Sequence, residues 1–211
     1  MVDSEFLRVH AKVPGGSMSS KSPSQGVRFG RTLLIAGVGE VIDQPVQAVV
    51  YAANQRGVMG AGPAGSIRST GGPEVEREAM VRAPLELGTA VMTGSGHLAE
   101  RGITAVLHAV VIPTLGESAR LGTIERAVTA TLRAADRGKI RSIAMPLLGS
   151  SANALDHERQ AAAEQVVDAT VAYLRREPSR LERIVVVSRF EDDVTMVNSV
   201  IQRARERSWS Q

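Results

Sequence analysis

Residues 46–68 read VQAVVYAANQRGVMGAGPAGSIR, and this stretch decides the fold. Positions 47–53 are almost continuously apolar, the composition of a strand buried on both faces. The strand runs straight into Asn54 and then a loop bearing Gly60, Gly62 and Gly65. Pro63 opens a short helix over 63–70, and Gly71 stands past its end, the usual proline–glycine asymmetry. Chain that leaves the end of a buried strand, bares backbone N–H groups at glycines and enters a helix suits a phosphorylated ligand.

The same apolar pattern recurs on either side. It predicts strands at 31–38, 89–94, 104–111, 141–148 and 183–189. Helices are predicted at 74–84, 122–137, 157–175 and 192–207. In the helix from His157, Ala161, Ala162, Val166, Ala169 and Leu174 form an apolar stripe that packs on a sheet. Six strands interleaved with helices give a three-layer α/β/α sandwich around a mixed, largely parallel six-stranded sheet. No internal repeat is present.

Composition narrows the chemistry. The chain has 211 residues, 43% hydrophobic but only 3% aromatic, so the core must be built from Val, Ile, Leu and Ala. With no cysteine, disulfides, thiolate metal sites and a cysteine nucleophile are excluded. His10, His97, His108 and His157 have no metal-ligand spacing, and neither a metal nor a cofactor is expected. No apolar run approaches the roughly 20 residues that span a bilayer, and no secretory signal is visible at the N-terminus. A cytoplasmic location is the expectation. The formal net charge is +3, with the arginine excess scattered along the sequence. Such a balance tolerates anionic ligands without demanding nucleic acid, which is not an expected partner.

Residues 1–28 are rich in Ser, Gly, Pro and Lys and cannot bury enough apolar surface to offset ordering entropy. They are expected to be a flexible segment, or a leader ahead of Met18, with one folded domain over 29–208.

Three loops are expected to gather at the C-terminal ends of parallel strands, where open α/β sheets bind ligands. The first runs from Asn54 to Gly65. The second is Leu148-Gly149-Ser150-Ser151-Ala152-Asn153, after the strand that ends in Met145-Pro146. The third is Arg189-Phe190-Glu191-Asp192. Asn54 contacts ligand or simply turns its loop, and Phe190 belongs to the core or forms a stacking platform. His108, inside an apolar strand, reads as a satisfied core histidine. Ser150 and Ser151 lack an acid or histidine placed to activate them. Arg203, Arg205 and Arg207 on the last helix form a solvated basic face or a nucleic-acid contact.

The order and spacing of these segments resemble the macrodomain family. Gly39-Glu40-Val41 stands at the family's Gly-Asp-Ile. Gln47-Ala48-Val49-Val50-Tyr51-Ala52-Ala53-Asn54 stands at its Val-Asp-Ala-Ile-Val-Asn-Ala-Ala-Asn run. Val106-Leu107-His108-Ala109-Val110 is similar to its Val-Ile-His-Thr-Val strand, and Ser142-Ile143-Ala144-Met145-Pro146 to its Ser-Ile-Ala-Phe-Pro strand. The resemblance spans about residues 31–205 and implies the macrodomain fold and recognition of ADP-ribose or a related NAD-derived nucleotide, free or attached to protein. It places Glu40 with Val41 at the adenine amino group and Ala53 with Asn54 at the distal ribose. Gly60, Ala61, Gly62 and Pro63 fall beside the ribose and diphosphate, and Leu148 through Asn153 in the diphosphate loop. Phe190, or Arg189 beside it, falls over the adenine face.

Four departures bear on activity. Tyr51 replaces the first Asn of Asn-Ala-Ala-Asn, Ser151 a loop glycine, and Asn153 an aromatic. Ala64 stands where hydrolytic members carry an Asp that helps to activate water. Alanine cannot polarise water, so the expectation leans to a binding module. An ADP-ribosyl hydrolase or ADP-ribose-phosphate phosphatase with another water-activating group is the alternative.

Overall fold

The computed structural model describes residues 26–119, 121–150 and 154–209. One sheet holds seven strands: β1 (Val27–Phe29), β2 (Thr32–Val38), β3 (Ala48–Asn54), β4 (Ala90–Gly94), β5 (Ala105–Ile112), β6 (Ser142–Pro146) and β7 (Arg183–Ser188). Their spatial order is β1-β2-β7-β6-β3-β5-β4. The five central strands are parallel, and the edge strands β1 and β4 lie antiparallel to β2 and β5.

Five helices cover the sheet: α1 (Pro63–Gly71), α2 (Pro73–Met80), α3 (Leu121–Arg137), α4 (Asp156–Arg176) and α5 (Glu191–Trp209). Successive side chains of a strand point to opposite faces, so a central strand feeds two cores. In β3, Ala48 and Val50 join the core under α3, α4 and α5, with Ile124, Val166 and Val200. Val49, Tyr51 and Ala53 join the opposite core, with Ile67 of α1 and Val75 of α2. The molecule is therefore the three-layer α/β/α sandwich expected from the alternating pattern.

The expected six strands become seven. Val27–Phe29 pairs with Thr32–Leu34 through a tight turn in which Gly30 has φ +59°. Three residues carry too little periodicity to be seen in a sequence, yet Val27 and Phe29 are buried. The sheet thus reaches two residues into the segment expected to be flexible, and the 28/29 boundary falls inside β1; residues 1–25 lie outside the described part. The second correction is α2, which stops at Met80 rather than 84. Pro84 has no N–H to donate and disfavours helix at Ala83. The loops after β2, β3, β6 and β7 all emerge at one edge of the sheet, and the site is built there.

Candidate functional site

A cleft of about 270 Å³ opens at the C-terminal ends of β2, β6 and β7. Glu40 and Val41 face it from the loop after β2, Gly62 and Pro63 from the start of α1, and Ser150 from the loop after β6. Phe190 faces it from the loop after β7, so six of the expected ligand residues come together. Gly39, Pro146, Leu147, Val187, Ser188, Arg189 and Asp193 complete the lining. Of these the sequence points only to Arg189 as a ligand residue. The others are small or apolar, or carry polar groups whose exposure depends on three separate loops meeting.

Asn54 is not among the residues that line the cleft. It is buried, its Oδ1 accepts the N–H groups of Arg56 (3.0 Å) and Val58 (3.3 Å), and its Nδ2 donates to the Val58 carbonyl (2.7 Å). The side chain is taken up in shaping its own loop, the turn-forming role of an asparagine. Ala53 is likewise buried in the core. The loop is pinned further by Glu76 of α2. Its Oε1 accepts the Met59 N–H at 2.7 Å, and its Oε2 pairs with Arg68 Nε at 2.8 Å. Gly60 and Ala61 are absent from the cleft lining; Gly60 instead packs its carbonyl under Gly65, where a Cβ would sit only 2.7 Å from it. Gly62, at φ +66°, then turns the chain into α1. Backbone N–H groups at that N-terminus are unpartnered by the helix and carry its positive dipole end.

Leu148 and Gly149 are also outside the cleft lining. Leu148 is buried, and Gly149 (φ +88°) lies so close to Ile124 of α3 that a Cβ would collide with its Cδ1. They anchor the loop to the core while Leu147 and Ser150 face the cleft, and the Ser150 N–H closes a turn on the Leu147 carbonyl at 3.1 Å. Ser151, Ala152 and Asn153 lie outside the described residues.

Across the cleft, Glu40 forms an ion pair with Arg189. Beside it Phe190 is 58% exposed, so its ring is an open platform and not core. Ser188 donates its hydroxyl to Asp193 Oδ2 at 2.7 Å and accepts the Phe190 N–H at 3.2 Å. Asp193, itself buried, pairs at 3.5 Å with Arg159 of α4. This chain of contacts fixes where Phe190 leaves β7.

Tyr51 lies on the core side, not in the cleft. Its hydroxyl is 2.7 Å from His108 Nδ1, and His108 Nε2 is 2.8 Å from the Thr93 hydroxyl. Thr93 donates to the Gly94 carbonyl at 3.0 Å, so donor accounting has Tyr51 O–H donating to Nδ1 and Nε2–H donating to Thr93. Burial, reinforced by the positive charge of Arg82, lowers the His108 pKa to about 3, so the ring stays neutral. Burial, then the charge of Glu76, pushes the Tyr51 phenol well above its usual range. His108 is the satisfied core histidine expected from its strand. Among the described residues no cluster of His, Asp or Glu could hold a metal ion, and no helix is long and apolar enough to cross a membrane.

A largely parallel α/β sheet with a cleft at its C-terminal edge, entered beside a helix N-terminus, places that cleft where open α/β sheets hold their ligands. The Macro domain family model matches residues 50–165, and the chain belongs to this family. An uncharacterised protein of Aquifex aeolicus is 32% identical over 166 residues, 77% of this chain and 94% of its own. A protein of Enterobacter sp. named O-acetyl-ADP-ribose deacetylase is 29% identical over 172 residues, 78% of this chain and 91% of its own. An uncharacterised Mycobacterium bovis relative, 33% identical over 175 residues (81% of this chain), is longer, and the chain spans only 45% of it. Among solved structures, the Oceanobacillus iheyensis macrodomain with ADP superposes with TM-score 0.73 at 18% identity, covering 86% of this chain and 96% of that one. The Trypanosoma brucei macrodomain in complex with ADP-ribose gives 0.67 at 23% identity, covering 81% and 69%. These likenesses establish the fold.

Proposed function

We propose that this protein binds ADP-ribose or a closely related NAD-derived nucleotide. The base lies between Glu40 and Phe190, and the diphosphate runs past the α1 N-terminus toward Ser150. The observation that carries the reading is the convergence of those groups from four loops on one cleft. A carboxylate accepts from an exocyclic amine and repels a carbonyl, an exposed ring stacks on a base, and helix N–H groups favour an anion. Arg189 braces the Glu40 carboxylate in place. The ADP-ribose complex of the Trypanosoma brucei macrodomain supports the ligand class. Calorimetry is the test: ADP-ribose is expected to bind more tightly than AMP, which lacks the second phosphate and second ribose. Equal affinities, or none for either, would sink the assignment.

Hydrolysis is the second reading, favoured by the name of the Enterobacter relative. Ala64 at the start of α1 offers no base, and both carboxylate oxygens of Glu76 nearby are engaged by Met59 and Arg68. Removal of ADP-ribose from modified protein is therefore expected to be slow. Positioned acid–base catalysis contributes about 10²–10⁴-fold, so Ala64→Asp should accelerate a time course if the rest of the site is competent. Rapid turnover by the unaltered protein would replace the binding reading with the enzymatic one.

A further inference from the structure

The end of the sheet opposite the cleft gathers the arginines that look scattered in the sequence. Three segments meet there: 28–31 at the β1–β2 turn, 133–141 between α3 and β6, and 175–183 between α4 and β7. Arg183 pairs in register with Leu33 on one side and Ser142 on the other, which places the three segments side by side. Together they hold ten cations and three carboxylates, an excess of seven where the whole chain has an excess of three. The carboxylates are already engaged. Glu177 pairs with Arg133 at 3.5 Å and Glu182 with Arg141 at 3.6 Å. Asp136 accepts from the Tyr173 and Ser179 hydroxyls and the Arg180 N–H. Arg28, Arg31, Arg137, Lys139, Arg176 and Arg180 are exposed and, among the described residues, form no ion pair.

We propose that this edge binds the sugar-phosphate backbone of double-stranded nucleic acid without reading sequence. Three neighbouring strands set the basic strip at roughly 10–15 Å across, from their spacing of about 4.8 Å, a width that meets several phosphates of one duplex groove. Guanidinium groups, which dominate the strip, bind phosphate bidentately. None of the exposed large hydrophobics among the described residues lies on this edge. It therefore offers neither the apolar anchor of a protein interface nor the inserting face of a membrane helix. Among the residues whose side chains are described, it carries no exposed aromatic on which single-stranded bases could stack. The basic residues of α5 are a different case, because Arg203 pairs with Glu164 at 3.5 Å and Arg207 with Asp168 at 2.5 Å.

The test is fluorescence anisotropy of a labelled DNA duplex of arbitrary sequence, about 20 base pairs long, titrated at several salt concentrations from about 50 to 200 mM. These six cations predict a log–log salt slope of about −5. The triple variant Arg31→Gln/Arg137→Gln/Arg176→Gln should flatten it by about three and weaken binding at least ~10-fold at low salt. Its thermal midpoint should stay near that of the parent, and Arg203→Gln/Arg207→Gln should leave duplex binding unchanged. Four outcomes would overturn the proposal: no association at the lowest salt, equal loss in the α5 variant, displacement of duplex by free ADP-ribose, or tighter binding to phosphatidylcholine–phosphatidylserine vesicles than to duplex. Each bears on the basic edge and leaves the cleft reading to its own calorimetric test.

Discussion

At the residue scale, polar side chains divide between those that face the cleft and those that hold the core in register beside it. Tyr51, His108 and Thr93 are of the second kind, joined in one buried hydrogen-bonded chain. A neutral His108 has a consequence for acid stability. Its pKa is lowered from the usual 6.5 to about 3 in the folded protein. Below about 6.5 the unfolded chain takes up a proton that the folded protein refuses, so the contribution is complete above that pH. It is lost as pH falls toward 3, at up to about 1.4 kcal/mol per pH unit. Urea unfolding of the parent and His108→Gln between these limits should show the variant less stable at neutral pH but with a flatter dependence on acid. Parallel curves would mean that His108 is not the titrating group. The core placement of His108 was legible from its apolar strand, whereas the loop contacts of Asn54 were not. Its sequence position fits both a ligand contact and a loop brace, and only the positions of the Arg56 and Val58 backbone separate the two.

At the element scale, the apolar runs located six strands and five helices because strands buried on both faces leave an uninterrupted signal. The elements lost or misjudged are those whose limits depend on contacts, such as the three-residue β1. Glycine shows the same divide. Gly65 and Gly122 are both helical, yet an added methyl at Gly65 would press on the Gly60 carbonyl at 2.7 Å, while at Gly122 it would meet nothing within 4 Å. Gly65→Ala should push the glycine-rich loop off α1 and cost about 1–3 kcal/mol, as overpacking does. Gly122→Ala should stabilise by about 0.4–1 kcal/mol through the unfolded chain and helix propensity. Denaturant midpoints for the pair decide it. A Gly65→Ala protein as stable as the parent would show that the loop can shift freely, and that the Gly60 carbonyl does not fix it against α1.

At the scale of the molecule, the parallel topology separates two surfaces by the length of β7, about 20 Å at 3.3 Å per residue. Loops that follow strands build the cleft, and the segments that precede β2, β6 and β7 collect positive charge. The first arrangement was legible because glycines and strand ends mark it locally. The second was not, because ten cations spread over three distant segments converge only through strand order. The cleft draws on residues near 40, 62, 150 and 190, so a ligand bound there touches segments that separate completely when the chain unfolds. Ligand should therefore stabilise the whole domain by linkage. At a free concentration about 100 times Kd the gain should be about 2.7 kcal/mol. Urea unfolding with and without ADP-ribose measures it: the midpoint should rise by that amount divided by the slope, and the slope itself should not change. A rise that falls short of the calorimetric Kd, or an altered slope, would mean that the nucleotide also binds partly unfolded chain and that these loops do not form one site.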